Sequence, residues 1–211
     1  MDGVLIDSER LIREAWIHVG RSLQLDGIKN FFTDCIGISY ESTRHKFAAR
    51  YGSGISYDDF RSKTGECYRT MTENGIPVKK GARALLQCLK EQHWRIGLAS
   101  STRTINVLHS LKQTNLLKYF DAVICGDMVQ ASKPEPDIYL AAAKALNVMP
   151  DICLAVEDSK NGLKSASSAG MRVLLVPDLI APDSEMLSLA HAVFADLTAV
   201  QRWLLNTANQ I

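Results

Sequence analysis

The sequence predicts an α/β protein whose core is a Rossmann-like parallel sheet with helices on both faces. Short, nearly continuous apolar runs recur through the second half of the chain, with helical patterns between them. Polar and charged residues follow directly after several of these runs. An earlier segment is richer in charge and only helical in pattern, which indicates a small inserted domain. Apolar strands that alternate with helices are typical of a parallel sheet covered on both faces.

The predicted strands are four apolar runs: WRIGLAS (94–100), AVIC (122–125), ICLAV (152–156) and RVLLV (172–176). Helical patterns follow the first three runs, over residues 101–115, 136–148 and 157–170. Pro136 suits the first turn of its helix, and Gly170 suits a helix end. Ligands of such sheets bind outside the carboxyl ends of the strands, so the residues that follow the runs are the candidate site.

The inserted segment covers residues 11–75. Its helical patterns include SERLIREAWIHVGRSL (8–23) and ESTRHKFAARY (41–51), and it has no clear buried strand. We predict that it forms a helical domain, while residues 1–10 and 76–211 form the α/β core. Pro77 marks the second junction, because proline is a common feature of hinges and linkers.

The composition indicates a folded protein and narrows the class of partner. The chain has 211 residues, of which 46% are hydrophobic, so it can bury a sizeable core. Its formal net charge is +1 without a basic or acidic block, which gives no support to a nucleic-acid or membrane partner. No apolar run reaches the length of a membrane span. Five scattered cysteines without a C-x-x-C pair indicate reduced thiols, so we expect a cytoplasmic protein.

Four polar stretches stand where the strands should end: Asp2-Gly3 with Asp7, Ser100-Ser101, Lys133, and Glu157-Asp158-Ser159. Each alone has an ordinary structural explanation as a turn, a helix cap or a solvated lysine. Together they would place two carboxylate clusters, a hydroxyl pair and one lysine at a single edge of the sheet. Carboxylates suit Mg²⁺, and a lysine beside serines suits an anion, so the set predicts a phosphoryl-transfer site.

The same stretches resemble the haloacid dehalogenase superfamily of phosphohydrolases, in the branch with β-phosphoglucomutase and small sugar-phosphate phosphatases. The resemblance is carried by MDGVLIDSE (1–9), LASST (98–102), SKPEPDIYL (132–140) and VEDSKNGLKSASSAGM (156–171), in the family's order and spacing. It implies Mg²⁺ as the cofactor and a small phosphorylated metabolite as the partner. We expect neither a nucleic-acid nor a membrane partner, and a monomer or weak dimer.

The resemblance also implies a role for each matched residue. Asp2 corresponds to the general acid/base, and Lys133 to the lysine that neutralises the phosphoryl oxygens and the nucleophile. Ser100, with Ser101 beside it, corresponds to the phosphate-binding hydroxyl. For the metal the resemblance implies Asp158 as a ligand, Glu157 as a second or outer ligand, and Asp2 through its backbone carbonyl. We expect these residues to converge in one pocket between the core and the cap.

The chain departs from the family pattern at its front. The nucleophilic aspartate of the family stands two positions before Asp2, which is one residue upstream of Met1, and Asp7 cannot replace it. The sequence offers no candidate for the first core strand either. We therefore expect a gap or a substitute strand in the sheet, and impaired turnover by this chain. A start placed too late, a truncated form and a non-catalytic protein that binds Mg²⁺ and phosphate all stay open.

The inserted domain resembles the cap that selects the substrate in this family. The stretch CIGISYEST (35–43) resembles the substrate-facing loop, so Gly37, Ser39 and Tyr40 are predicted substrate contacts. Mutases of this branch carry an arginine where this chain has Tyr40, and a histidine where it has Ile12. Both differences favour a phosphomonoester phosphatase, and a β-phosphoglucomutase-like phosphomutase is the alternative.

Overall fold

A computed structural model describes residues 1–36, 40–52 and 54–208 of the chain. The chain divides into two compact units, one formed by Met1–Asp7 with the chain from Ile76 onward, the other by Ser8–Gly75. The first division falls between Asp7 and Ser8, whereas the sequence pattern placed it after residue 10. The reason is local, because the first helix already begins at Ser8.

The smaller unit contains four described helices: α1 (Ser8–Ser22), α2 (Ile28–Cys35), α3 (Tyr40–Tyr51) and α4 (Tyr57–Thr72). Aromatic side chains form its centre. The Trp16 ring meets the rings of Phe32 and Phe60 edge-on, with centroids 5.2 and 5.1 Å away. Phe47 and Phe60 have no exposed surface. Such edge-to-face pairs are favourable beyond the area that they bury, so this cluster is the core of the unit.

The larger unit alternates strands and helices. In chain order its described α-helices and β-strands are α5 (Ala82–Glu91), β1 (Gly97–Ser100), α6 (Thr104–Gln113), β2 (Ala122–Cys125), α7 (Asp137–Leu146), β3 (Leu154–Glu157), α8 (Lys160–Ser168), β4 (Arg172–Leu175), α9 (Ser184–Leu189), β5 (Ala192–Val193) and α10 (Leu197–Ala208). A strand overlaps each predicted apolar run, and the predicted α/β fold class is confirmed. None of the helices in the described ranges is long and apolar enough to cross a membrane.

All strand pairs in the described chain are parallel, but they form two separate sheets. β1 pairs with β2, with Ser100 opposite Cys125. β3 pairs with β4, with Glu157 opposite Leu175, and β4 pairs with β5. No described strand joins β1 to β3. The described strands thus form one two-stranded and one three-stranded sheet.

Helices α7 and α8 supply much of the core of the larger unit. α7 packs on β1 and β2 and also contacts α8, which packs on β3 and β4. The buried cluster includes Ile138 of α7, Leu163 of α8 and Val173 of β4. Ser159 caps α8 by accepting a hydrogen bond from the Gly162 N–H at 3.1 Å. Gly170 has a φ of 84° just after the helix, which is the conformation that favours glycine there.

The first seven residues form a compact turn within the larger unit. The Leu5 N–H donates to the Met1 carbonyl at 2.8 Å, and the Gly3 N–H donates to the Ile6 carbonyl at 3.1 Å. Ile6 has no exposed surface and bridges to Val78 in antiparallel fashion. This turn chemistry was predicted from Asp2-Gly3, and it fixes the backbone on which the Asp2 side chain stands.

Candidate active site

Lys133 occupies the centre of the candidate site, at the carboxyl ends of β1 and β3. Its ammonium lies 2.5 Å from a carboxylate oxygen of Glu157, the last residue of β3. It also donates to the carbonyl of Ala99 in β1 at 3.2 Å and lies 3.4 Å from the Tyr139 hydroxyl. One lysine therefore links the ends of two strands that belong to different sheets.

Glu157 is buried, and both of its carboxylate oxygens accept hydrogen bonds. Oε1 accepts from Lys133 and from the Tyr139 hydroxyl, each at 2.5 Å, and Oε2 accepts from the Ser159 hydroxyl at 3.2 Å. Burial by itself raises the pKa of Glu157. The charges of Lys133 and of the Met1 ammonium, with the hydrogen bonds, reverse this effect and hold the pKa below its usual value.

Tyr139 is the uncharged partner of Lys133 and Glu157. Burial, and after it the charge of Glu157 and their hydrogen bond, raises the pKa of the Tyr139 hydroxyl well above its usual value. The hydroxyl therefore stays protonated and donates to Glu157. Its ring centroid also lies 4.8 Å from the Lys133 ammonium, within the range of a cation–π contact.

Asp158 lies against the turn that carries Asp2. Gly3 has a φ of 70°, and a Cβ built on it would overlap the Asp158 carboxylate, with Asp158 Cγ only 2.7 Å away. Only glycine leaves room for this approach, because any other residue would push the carboxylate away. Asp2-Gly3 thus has two structural roles, because it forms the turn and its glycine leaves room for the Asp158 carboxylate.

Thr102 connects Asp2 to the end of β1. Its hydroxyl donates to Asp2 Oδ2 at 3.0 Å, and its N–H donates to the Ser100 hydroxyl oxygen at 3.3 Å. Ser100 is 4% exposed, whereas Ser101 is exposed. Capping a helix is an ordinary role for such serines, but neither of them caps α6. Asp127 accepts from the Thr104 N–H at 2.9 Å instead.

The structure brings Asp2, Ser100, Lys133, Glu157 and Asp158 to the same side of the larger unit. Two partners that the sequence pattern did not single out are Thr102 and Tyr139. Both lie inside matched motifs, but nothing in a linear pattern shows which neighbour their hydroxyls will reach. Of the predicted substrate contacts, Gly37 and Ser39 lie outside the described residues. Tyr40 begins α3, donates a hydrogen bond to Asp58 and stacks beneath Arg61, whose guanidinium carbon is 5.2 Å from the ring centroid.

The oxygen donors of this region fit a Mg²⁺ site in which the protein supplies only part of the coordination shell. Mg²⁺ is usually held by one or two carboxylates, with water and phosphate oxygens completing its shell. The partly buried Asp158 carboxylate beside the Asp2–Gly3 backbone fits that description. Glu157 is occupied by Lys133, Tyr139 and Ser159, so it suits an outer position better than a direct ligand. In the described ranges no group of three or more His, Cys, Asp or Glu side chains is placed to hold a metal.

The fold and these residues define an α/β protein with a candidate phosphate-binding site at the ends of parallel strands. The chain belongs to the haloacid dehalogenase-like hydrolases, whose family profile matches residues 1–176. The predicted resemblance is thereby confirmed.

Relatives of known name place the chain in the branch with β-phosphoglucomutase and small sugar-phosphate phosphatases. It is 31% identical over 171 residues to a phosphorylated carbohydrates phosphatase of Thermotoga maritima, covering 81% of this chain and 79% of the relative. It is 32% identical over 200 residues to hexitol phosphatase B of Escherichia coli K12, covering 94% and 90%. A crystal structure from Thermotoga maritima, provisionally assigned as a β-phosphoglucomutase, superposes with a TM-score of 0.83 at 28% identity, covering 98% and 96%.

Proposed function

We propose that the chain is a Mg²⁺-dependent phosphomonoester hydrolase that acts on a small phosphorylated metabolite such as a sugar phosphate. The observation that carries the proposal is the position of Lys133, between the Ala99 carbonyl and Glu157, the residue that precedes Asp158 in the chain. A fixed cation beside a carboxylate meets the needs of phosphoryl transfer, which depends on positioning and charge neutralisation. The names of the two phosphatase relatives support the substrate class.

Each side chain has a definite task in this proposal. Asp2 protonates the leaving oxygen and then takes a proton from the attacking water, while Thr102 holds its carboxylate in place. Lys133 neutralises the phosphoryl oxygens, and Ser100 donates its hydroxyl to one of them. Asp158 would hold Mg²⁺, which when bound neutralises developing charge on the phosphoryl group.

The covalent step needs a nucleophilic carboxylate, which the family resemblance places two positions before Asp2. The proposal therefore concerns the site with an aspartate at that position. Loss of a covalent nucleophile can cost on the order of 10⁶-fold in turnover.

A phosphomutase is the second candidate, because one similar structure carries that provisional assignment. We favour the phosphatase because of the segment 11–75, which resembles the family's cap domain. In that domain Gly37, Ser39 and Tyr40 would select the substrate. A mutase must grip a second phosphate, and Tyr40 has no positive charge for that purpose. ³¹P NMR separates the two, since a phosphatase releases inorganic phosphate and a mutase produces an isomeric sugar phosphate.

The direct test uses an extended version of the chain that carries an apolar strand ending in aspartate immediately before Met1. We expect this version to hydrolyse p-nitrophenyl phosphate and sugar phosphates in the presence of Mg²⁺. Within that version, Lys133→Met should abolish turnover, whereas Lys144→Met, at an exposed position on α7, should leave it unchanged.

Two results would contradict the proposal. Equal activity of Lys133→Met and Lys144→Met would show that Lys133 takes no part in turnover. A well-folded extended version that binds phosphate without turning over any ester would favour a non-catalytic binding protein instead.

A further inference from the structure

Gly126 and Asp127, which follow β2, contact the loop that follows β1. The two strands are parallel and in register, with Ser100 opposite Cys125, so both end at the same edge of their sheet. The next residue is Ser101 after β1 and Gly126 after β2. Because adjacent parallel strands hold one register to their ends, these two residues lie side by side directly outside the sheet.

Gly126 approaches the main chain of Ser101 more closely than a larger residue could. A Cβ built on Gly126 would overlap the carbonyl group of Ser101, with the carbonyl carbon only 2.8 Å away. This carbonyl is backbone, which cannot swing aside as the end of a flexible side chain does, so a larger residue would displace the loop. The φ of Gly126 lies outside the left-handed region, so the close approach to Ser101 is what requires glycine here.

Hydrogen bonds from the same turn hold the loop at two further points. The Gly126 N–H donates to the Thr102 carbonyl at 3.1 Å. Asp127 Oδ1 accepts from the hydroxyl and the N–H of Thr104, the first residue of α6, at 2.7 and 2.9 Å. These two bonds from Thr104 lower the pKa of Asp127 below its usual value. The loop between β1 and α6 is therefore fixed on both sides of Thr102.

Thr102 connects this loop to the candidate active site. Its hydroxyl donates at 3.0 Å to Asp2, the proposed general acid, and its N–H donates at 3.3 Å to the hydroxyl oxygen of Ser100, the proposed phosphate donor. Beyond about 3.5 Å such a pair of atoms no longer forms a hydrogen bond. A small displacement of the loop is therefore enough to break both contacts.

We propose that Gly126 and Asp127 are positioning residues, which fix the loop so that Thr102 holds Asp2 in the orientation for proton transfer. The inference rests on the proposed phosphatase activity and adds a substrate preference to it. Esters with a poor leaving group, such as sugar phosphates, need the leaving oxygen to be protonated as it departs. Esters with a good leaving group, such as p-nitrophenyl phosphate, need little such help. The two residues therefore determine how well the site cleaves sugar phosphates relative to activated esters.

The first test compares kcat/KM of the extended version for benzyl phosphate and for p-nitrophenyl phosphate. Both esters carry one aromatic ring, but benzyl phosphate has an alcohol leaving group like that of a sugar. Gly126→Ala should lower kcat/KM for benzyl phosphate by about 10²-fold, the typical cost of a misplacement by about 1 Å, and that for p-nitrophenyl phosphate by less than about tenfold. Gly97→Ala is the matched control, because it adds the same methyl group at the start of β1 against the Leu146 side chain. It should leave the ratio of the two kcat/KM values unchanged.

Variants of Asp127 test the second positioning residue. Asp127→Ala removes the acceptor for Thr104 and should lower the ratio of benzyl to p-nitrophenyl phosphate hydrolysis by about tenfold. Asp127→Asn keeps an oxygen that can accept both bonds, so it should recover most of the parent ratio. Asp183 caps α9 by accepting from the Met186 N–H at 2.8 Å, so Asp183→Ala loses an aspartate cap elsewhere and should keep the ratio. A general loss of stability lowers both rates together and does not change their ratio.

A second measurement is independent of turnover. Amide hydrogen exchange of Thr102, whose N–H donates to Ser100, reports the position of the loop in the 211-residue chain. Gly126→Ala should speed this exchange by at least about tenfold, whereas Gly97→Ala should leave it at the parent rate.

Three outcomes would overturn the proposal. The ratio of the two kcat/KM values in Gly126→Ala could equal that of the parent, Asp127→Asn could lower the ratio as much as Asp127→Ala, or Gly126→Ala could leave the exchange of Thr102 unchanged. If Gly126→Ala does not fold, the two Asp127 variants decide. Inactivity of the extended parent towards both esters would contradict the proposed phosphatase instead, and the exchange measurement would still decide whether Gly126 fixes the loop.

Discussion

The ammonium of Lys133 and the carboxylate of Glu157 form a short, buried ion pair, 2.5 Å apart, with only 11% and 7% of their side chains exposed. The pair is supported on both sides, by the Ala99 carbonyl at the lysine and by Tyr139 and Ser159 at the glutamate. Removing water from two charges is costly, and it is tolerated here because each charge has its partner and further hydrogen bonds. The pair therefore positions Lys133 while making the fold dependent on both members.

Glu157→Gln should destabilise the larger unit strongly, because it leaves the Lys133 charge buried without its counter-ion. Breaking one side of such a pair typically costs about 3–5 kcal/mol in the free energy of unfolding. Urea unfolding followed by circular dichroism measures this difference. The double variant Lys133→Met/Glu157→Leu should cost less than Glu157→Gln alone, because it removes both charges. A loss in the double variant as large as that of Glu157→Gln would contradict this account of the pair.

Gly3→Ala should both strain the backbone and displace Asp158. The φ of 70° costs a non-glycine residue about 1–2 kcal/mol, and the added methyl group would overlap the Asp158 carboxylate. Gly170→Ala is the matched control, since its φ is 84° and a Cβ there meets nothing within 4 Å. We expect Gly3→Ala to lose at least about 1 kcal/mol more than Gly170→Ala in thermal unfolding. Equal losses would mean that the added methyl group does not displace the Asp158 carboxylate.

The strands were predictable because their signal is local. Near-continuous apolar runs at 122–125 and 172–176 coincide with β2 and β4 to within one residue. β5 has only two residues, Ala192 and Val193, too few for a pattern to stand out. Which strands pair with one another depends on contacts between distant segments, which no single run of residues records.

The candidate site was partly predictable for a different reason. Polar residues that end parallel strands must share one edge of the sheet, so the grouping of Ser100, Lys133 and Asp158 follows from topology. The partners of these residues do not follow from it. Tyr139 reaches Glu157 only because α7 packs against the sheet, and Asp127 caps α6 from a turn far along the chain.

Ser159→Ala should lower stability through two lost hydrogen bonds. The hydroxyl accepts from the Gly162 N–H at the start of α8 and donates to Oε2 of the buried Glu157. Loss of a serine cap costs about 0.5–2 kcal/mol, and the buried acceptor places the expected loss in the upper half of that range. Ser159→Thr keeps the hydroxyl and should recover most of the stability in urea unfolding. If Ser159→Thr unfolds as easily as Ser159→Ala, the hydroxyl is not the cause.

Asp121 should make a pH-dependent contribution to stability at the start of β1. The hydrogen bond from Lys90 at 2.5 Å, together with one from the Ile96 N–H at 2.8 Å, lowers the pKa of Asp121 below its usual value. A carboxyl whose pKa is lower in the folded state stabilises that state above its unfolded pKa of about 3.9, and the contribution disappears as the pH falls through the folded pKa.

The measurement is the free energy of unfolding of the parent chain and of Asp121→Asn, from about pH 7 down to about pH 3. Asparagine can still accept from the Ile96 N–H, so the comparison isolates the charge. Because 39% of the Asp121 side chain is exposed, solvent screens the pair and the expected difference at neutral pH is below about 1 kcal/mol. It should shrink as the pH falls, and in a Lys90→Met background most of it should be absent at every pH. A difference that stays constant across the range would show that Asp121 acts through its shape and not through its charge.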